Sequence, residues 1–157
     1  MTTENIDHLE RHYPAHPMVG VGVVVVRDSA VLLVKRGKHP GYGLWAIPGG
    51  RVELGERVRD AAAREALEEC GVIVEVGDVI WVDDAIIRDA NGRIEYQYVL
   101  VDFIARYAGG EPACSSDALE LKWVRPEDMA GLALTSTMPP LLVKVFGLID
   151  SGEWLGD

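Results

Sequence analysis

Runs of apolar and alternating residues predict a sheet of hairpin-paired strands. The β-branched segment from Val19 to Arg27 is typical of a buried strand. Asp28-Ser29 then predicts a tight turn into a second strand, Ala30 to Arg36. The longest alternating segment, Ile94 to Tyr107, follows an Asn91-Gly92 pair that favours a hairpin turn. These segments predict that strands dominate the core.

The remaining pattern adds short strands and two separate helices. Further strands are predicted at residues 44–47, 72–76, 79–88 and 121–124. A run of strong helix formers from Glu56 to Cys70 predicts one helix, which Gly71 ends as a left-handed C-cap. A second helix is expected from Thr137 to Ile149, entered through two prolines. A buried sheet with helices at two points in the chain indicates an α/β sandwich.

Length and composition restrict the class of protein. The 157 residues suit one domain, for which we expect an arm at residues 1–17, a domain at 18–150 and a tail at 151–157. A formal charge of −10 argues against a nucleic acid polymer as partner. No apolar run is long enough to span a membrane, and the polar, acidic N-terminus does not resemble a signal peptide. With two cysteines and no disulfide framework, we expect a cytoplasmic protein.

The Glu56–Cys70 helix carries an unusual concentration of carboxylates. Glu65 and Glu69 lie one turn apart, and Glu68 lies about 60° to one side on a helical wheel. Apolar residues on two sides of the helix indicate that these acids are partly enclosed. Enclosed carboxylates repel each other unless a cation joins them, and their hard oxygen atoms suit Mg²⁺ or Mn²⁺. The alternative is a surface helix with Arg–Glu pairs, of which Arg64 to Glu68 contributes a few tenths of a kcal/mol.

A glycine turn before the helix favours the metal-binding alternative. Pro48-Gly49-Gly50 supplies a sharp turn that we expect to need positive φ. Gly50, five residues, Glu56, seven residues and then the segment REALEECGV (residues 64–72) resemble the Nudix box of the Nudix hydrolases at every fixed position. The resemblance extends over most of residues 18–150. It implies an α/β/α sandwich with a mixed central sheet and a loop-helix-loop catalytic motif.

The resemblance also implies roles for individual residues. The metal-binding groups would be three helix carboxylates and a backbone group, Glu65, Glu68, Glu69 and Gly49. Arg64 would orient a catalytic carboxylate, and Glu56 would anchor Arg64. The general base would be Glu69 within the motif, or Glu120 or Asp117 outside it. The groups expected near the substrate are Arg36, Trp45, Gly50, Tyr96 and Tyr98. Arg36 belongs to a basic patch with Lys35 and Lys38, which could also be solvated strand-end residues.

Nudix enzymes hydrolyse nucleoside diphosphates linked to another group, and the resemblance implies this reaction on a small nucleotide substrate. Similarity to small bacterial members favours a nucleotide sugar such as ADP-ribose. The segment Ile87 to Ala90 lacks the proline that many ADP-ribose-specific members carry there. The alternatives are a house-cleaning nucleoside triphosphate pyrophosphohydrolase, a GDP-sugar hydrolase or a non-catalytic nucleotide-sugar-binding module. A homodimer is also expected.

Overall fold

The computed structural model describes Thr2 and residues 9–154 of the chain. The predicted N-terminal arm and C-terminal tail therefore lie partly outside the described residues, and the domain boundaries stay predictions. No helix in the described part is long and apolar enough to cross a membrane.

Strands make up most of the regular structure of residues 12–154, which also contain two α-helices separated along the chain. The elements are β1 (Met18–Arg27), β2 (Ala30–Arg36), β3 (Trp45–Ala46), β4 (Gly49–Arg51), α1 (Val58–Cys70), β5 (Ile73–Arg88), β6 (Ile94–Gly109), β7 (Ala118–Val124), a 3-10 helix (Pro126–Asp128) and α2 (Met138–Ser151).

The strands form one mixed sheet. Its order is β3-β2-β1-β6-β5, with β4 paired to β1 and β7 paired to β2. β1 and β6 run parallel, while the other described pairs are antiparallel. The structure therefore confirms the α/β class with a mixed central sheet.

Two core layers cover the two faces of the sheet. Because strand side chains alternate between faces, β1 contributes Val23 and Val25 to one layer and Val24 and Val26 to the other. The first layer includes the buried residues of α1, and the second includes those of α2. Burial of β1 on both faces explains its nearly continuous apolar sequence.

The prediction of two strands at residues 72–76 and 79–88 was wrong. β5 is a single strand, Ile73–Arg88, that passes through Gly77-Asp78 with a shift of register between Val76 and Val79. A Cβ at Gly77 would lie 2.9 Å from the Trp154 ring. Glycine therefore permits close packing at a bulge here, where the sequence pattern indicated a turn.

Helix α1 ends as predicted but begins later. Gly71 has φ 70 and donates its N–H to Leu67 O, as a left-handed C-cap does. The helix starts at Val58, and Glu56 lies in the preceding turn, where its N–H binds Glu53 O. Leu67, which the pattern placed in a second apolar stripe, is 53% exposed. One face of α1 is buried, and the opposite face meets solvent.

The glycines before α1 are required by close approach rather than by positive φ, which corrects the expectation for this turn. Gly49 and Gly50 lie in β4, outside the set of residues with positive φ. A Cβ on Gly49 would lie 2.2 Å from Val21 O in the neighbouring strand. The strand pair β1–β4 can form at this distance because Gly49 has no side chain.

We expect Gly49→Ala to destabilise the fold by about 2 kcal/mol or more, because the new methyl group would push β4 away from β1. The matched control is Gly147→Ala in α2, where a Cβ would meet nothing within 4 Å. That variant should gain about 0.5–1 kcal/mol from helix propensity. Urea unfolding of both variants measures the difference, and an unchanged midpoint for Gly49→Ala would contradict the close-approach explanation.

Candidate active site

Small side chains bring α1 close to the sheet and aim its acids at β4. Ala61, Ala62 and Ala66 are fully buried against the sheet. The Glu65 side chain projects from a neighbouring face of α1 and reaches Gly50 of β4. A Cβ at position 50 would lie 2.3 Å from Glu65 Oε1. Glycine at position 50 therefore provides the space that the Glu65 carboxylate occupies.

Arg64 joins α1 to the turn before it and to β4. Its Nε and Nη2 donate to the two carboxylate oxygens of Glu56 at 2.7 and 2.8 Å, a bidentate pair. Its Nη1 donates to Glu65 at 2.8 Å and to Glu68 at 3.0 Å, and Nη2 also donates to Arg51 O at 3.1 Å. The guanidinium thus fixes the orientation of the Glu65 carboxylate, which also lies against Gly50.

Glu68 differs from the other two helix acids in its surroundings. Its side chain is 60% exposed, against 16% for Glu65. Among the described residues, no three His, Cys, Asp or Glu side chains already converge in a geometry that would hold a metal. The predicted trio is therefore divided, with Glu65 facing β4 and Glu68 on the solvent side of Arg64.

Glu69 is the most enclosed of the helix acids. Its Oε2 accepts a hydrogen bond from the Gly49 N–H at 3.0 Å. Burial and, to a smaller extent, the nearby charge of Glu65 raise the pKa of Glu69 to about 7, against the opposing effects of that hydrogen bond and of the charges of Arg36 and Lys38. Burial also raises the pKa of Glu65, which the Arg64 guanidinium opposes. Two carboxylates that resist ionisation thus share one enclosed region.

These groups fit a divalent cation. Two enclosed carboxylates with raised pKa values supply hard oxygen donors whose mutual repulsion a cation would relieve. Because Gly50 has no side chain, the Glu65 carboxylate can lie directly against β4, the strand whose Gly49 N–H binds Glu69. The surroundings of Glu65 and Glu69 therefore match what a hard metal ion requires.

Comparison with known proteins decides the family. The family model of the NUDIX domain matches residues 16–144. The chain belongs to the Nudix family. A relative named ADP-ribose pyrophosphatase, from Methanocaldococcus jannaschii, is 36% identical over 118 residues, covering 75% of this chain and 68% of the relative. Nucleoside triphosphatase NudI of Salmonella typhimurium is 33% identical over 114 residues, covering 68% of this chain and 81% of that protein.

A solved structure extends the comparison to the fold. The MutT NUDIX hydrolase of Burkholderia pseudomallei superposes with a TM-score of 0.72 at 34% identity, over 83% of this chain and 98% of that one. The chain is a member of a family of hydrolases that act on phosphorus-containing anhydrides. The motif that suggested the Nudix box spans β4 and α1 in this fold.

Two basic residues lie near the carboxylates of α1. Arg36 and Lys38 contribute positive charge at Glu69, and Lys38 also does so at Glu65. Arg36 Nε donates to Pro40 O at 2.7 Å, which holds the loop after β2. Lys38 was not among the predicted site residues, although its place in the basic patch was the signal that could have found it.

The two alternative bases outside the Nudix motif lie in different places. Asp117 is half-exposed and forms a salt bridge with Lys38, with 2.9 Å between Asp117 Oδ2 and Lys38 Nζ. Glu120 of β7 is exposed and lies opposite Lys35 of β2 in the strand register. On its other side, Lys35 lies opposite Trp45 of β3. Directly paired residues share a face of the sheet, and Trp45 belongs to the α2-side core, so the register puts Glu120 on the face away from α1.

The predicted substrate-binding aromatics are mostly enclosed. Trp45 is 7% exposed within the α2-side core, and Tyr96 is 3% exposed. The Tyr96 ring lies 5.3 Å from the His12 ring and 5.5 Å from the His39 ring. Tyr98 is half-buried and lies beside Gly20 of β1. Contact of these side chains with a substrate stays a prediction.

We expect Glu56→Gln to destabilise the protein in a pH-dependent way. The bidentate hydrogen bonds from Arg64 lower the pKa of Glu56 from 4.5 to about 2. Because the folded-state pKa is depressed, the stabilisation is complete above pH 4.5 and is lost as pH falls through 2. Urea unfolding at pH 7 should therefore favour the parent, and the difference should shrink from pH 4.5 downward. A constant difference between pH 7 and 3 would contradict the ionised pair.

Proposed function

We propose that this chain hydrolyses the pyrophosphate bond of a nucleoside diphosphate derivative, a nucleotide sugar such as ADP-ribose, with Mg²⁺ or Mn²⁺. The observation that carries the proposal is the enclosed Glu69 carboxylate, held by the Gly49 N–H beside Glu65. Water would attack one phosphorus, and the P–O bond of the anhydride would break. The products would be a nucleoside monophosphate and the phosphate of the second group.

Glu65 and Glu69, with the backbone of Gly49 and with Glu68 from the solvent side, would hold the cation. When bound, a divalent cation neutralises phosphate charge and lowers the pKa of water. Glu69 is the helix carboxylate that we propose as acceptor of the proton from the attacking water, because it is enclosed and held in place by the Gly49 N–H. Glu120 and Asp117 remain alternatives for this role, and their positions give them less support.

Arg64 and Glu56 act in this proposal as positioning residues. The guanidinium holds Glu65 at 2.8 Å and is itself held by both oxygens of Glu56. Glu65 therefore keeps its orientation before substrate arrives, so the site does not have to be assembled during binding.

The net charge of −10 would repel an anionic substrate. Arg36 and Lys38 provide a local positive charge that attracts it. The positive charges of both side chains lie close enough to Glu69 to oppose the rise of its pKa. Positive side chains at the edge of an acidic site neutralise phosphate oxygens that extend beyond the cation. Gly50, Trp45, Tyr96 and Tyr98 would line the remaining substrate path. A homodimer and a cytoplasmic location stay predictions.

The relatives favour two substrates. Likeness to the Methanocaldococcus jannaschii ADP-ribose pyrophosphatase supports ADP-ribose. Likeness to the Salmonella typhimurium nucleoside triphosphatase supports a nucleoside triphosphate as the second candidate. Both substrates contain the same anhydride bond, and the site described above does not depend on which group leaves.

A substrate panel tests the proposal. ADP-ribose, GDP-mannose, the common nucleoside triphosphates and dinucleoside polyphosphates would be incubated with the protein and Mg²⁺, and the products separated by chromatography. We expect AMP and ribose 5-phosphate from ADP-ribose. Hydrolysis of triphosphates alone would select the second candidate, and no turnover of any compound would reject the hydrolase proposal for this chain.

We expect Glu69→Gln to lower the turnover number by at least about a hundredfold, because the amide keeps the shape but removes the base and a cation ligand. Its melting temperature should not fall, because burial disfavours the charge that the substitution removes. Glu120→Gln and Asp117→Asn are the matched controls and should keep activity within a few-fold. Retained activity in Glu69→Gln with a loss in Glu120→Gln would transfer the base role to Glu120.

We also expect Mg²⁺ to raise the melting temperature of the substrate-free protein. A ligand that binds only the folded state at a hundred times its Kd adds about 2.7 kcal/mol, which for this chain length corresponds to about 5 °C or more. The shift should shrink in Glu65→Gln and persist in Glu75→Gln, an acid on the exposed side of β5. Differential scanning calorimetry measures both. Equal shifts in the two variants would place the cation elsewhere.

A further inference from the structure

The β2–β3 loop, residues 37–43, is held by side chains at two places. Lys38 Nζ donates to Oδ2 of Asp117 at 2.9 Å, and Asp117 directly precedes β7. The next residue of the loop, His39, has its Nε2 3.5 Å from Oε1 of Glu95 in β6. Because β7 pairs with β2 and β6 pairs with β1, the two anchors lie on opposite sides of the β2–β1 pair. The loop therefore crosses from one side of this pair to the other.

Hydrogen bonds also close the loop at its base. Arg36 Nε donates to Pro40 O at 2.7 Å, and the Gly43 N–H donates to Arg36 O at 2.8 Å. A loop closed in this way moves as a unit. An anchor at His39 therefore also restrains the neighbouring Lys38.

The Glu95 carboxylate lies where three segments meet. Its Oε1 is 3.1 Å from Nε2 of His12 in the N-terminal arm, in addition to its contact with His39 in the loop. Both imidazole rings lie beside the ring of Tyr96, which is 3% exposed. The Glu95 side chain itself is 21% exposed. Two imidazoles thus meet one partly buried carboxylate oxygen.

The arm provides a fixed support for this carboxylate. The Tyr13 N–H donates to the backbone carbonyl of Glu95 at 2.9 Å, and the Tyr13 hydroxyl donates to Asp89 Oδ2 at 2.8 Å. These two contacts hold the arm against β6 and the hairpin before it without using the Glu95 carboxylate. The neighbouring His12 can therefore orient that carboxylate toward His39.

Lys38 is the loop residue that lies near the candidate site. Its charge opposes the rise in pKa of both enclosed carboxylates of α1, so the ammonium group lies close to where a substrate phosphate would bind. A phosphate that binds Lys38 would compete with Asp117 for that group. The loop would then lose one of its two side-chain anchors. The contact between His39 and Glu95 would remain as the other.

We propose that Glu95 is a positioning residue for substrate binding, which holds the β2–β3 loop through His39 so that Lys38 binds a substrate phosphate. The proposal rests on the nucleoside diphosphate substrate of the proposed function and adds the device that presents a cation to it. Glu95 does not touch the substrate. Because the loop is in place before the phosphate arrives, less conformational entropy is lost on binding.

The test measures binding of α,β-methylene-ADP, a nucleoside diphosphate whose bridging carbon prevents hydrolysis. Isothermal titration calorimetry with Mg²⁺ present gives the Kd. In Glu95→Ala we expect the Kd to rise about three- to fivefold, which is the effect of losing a partly exposed ion pair. In Glu95→Gln the rise should be smaller, because the amide oxygen still accepts a hydrogen bond from an imidazole N–H.

Double-mutant cycles test whether Glu95 acts through the loop. Adding Glu95→Ala to His39→Ala, or to Lys38→Ala, should change the Kd by less than about twofold, because the connection from Glu95 to the phosphate is already broken. Glu75→Ala is the matched control. Glu75 is an exposed acid that pairs with Arg106 toward the other end of β6, and this variant should keep the parent's Kd.

Two further readouts separate positioning from a structural role. For any substrate that the panel identifies, Glu95→Ala should raise KM and leave kcat within about twofold, because Lys38 binds the phosphate equally before and during the reaction. The melting temperature of Glu95→Ala should fall by no more than about 4 °C, so that the variant is folded during the titrations. A fall in kcat at an unchanged Kd would contradict the proposal.

Three binding results would also overturn the inference. They are no binding of the probe by the parent, an unchanged Kd in Glu95→Ala, and an undiminished effect of Glu95→Ala in the His39→Ala background. These outcomes are distinct from that of the substrate panel. Probe binding that depends on Glu95 without any hydrolysis would reject the proposed function alone, whereas hydrolysis with a Kd independent of Glu95 would reject this inference alone.

Discussion

The site depends on the Arg64 guanidinium. It makes five hydrogen bonds, and these connect α1 to Glu56 in the preceding turn and to the Arg51 carbonyl at the end of β4. With a side chain 23% exposed, it neutralises a crowded set of carboxylates from within. Removing one partner of an enclosed charged pair usually costs more than the pair contributes, because the other charge is left unpaired. Arg64 is thus both a fold contact and the residue that orients Glu65.

Two carboxylates near Arg64 have opposite properties because of their surroundings. The pKa of Glu56 is lowered to about 2 by the bidentate pair, whereas burial raises the pKa of Glu69 to about 7. Glu56 is therefore ionised at neutral pH and suited to holding Arg64. Glu69 is poised to exchange a proton or bind a cation near neutral pH. Pairs of acids whose environments separate their pKa values mark acid–base and metal sites.

Local chemistry made much of this predictable from the sequence. The resemblance to the Nudix box implied that Glu56 anchors Arg64 and that Arg64 orients a carboxylate, and Gly71 indicated the end of α1. Contacts between distant segments were not predictable. The hydrogen bond from Gly49 to Glu69, and the strand passing through Gly77, depend on tertiary packing that overrides local turn signals. The contact of His39 with Glu95 likewise joins residues that no local pattern relates, and it emerges only in the folded protein.

The proposed function requires that a divalent cation bind between α1 and β4, at Glu65 and Glu69. Anomalous diffraction from crystals grown with Mn²⁺ tests it most directly, because the signal locates the ion without reference to activity. We expect an anomalous peak within coordination distance, about 2.0–2.5 Å, of carboxylate oxygens of both Glu65 and Glu69. A peak at other residues, or a site without an ion at millimolar Mn²⁺, would contradict it.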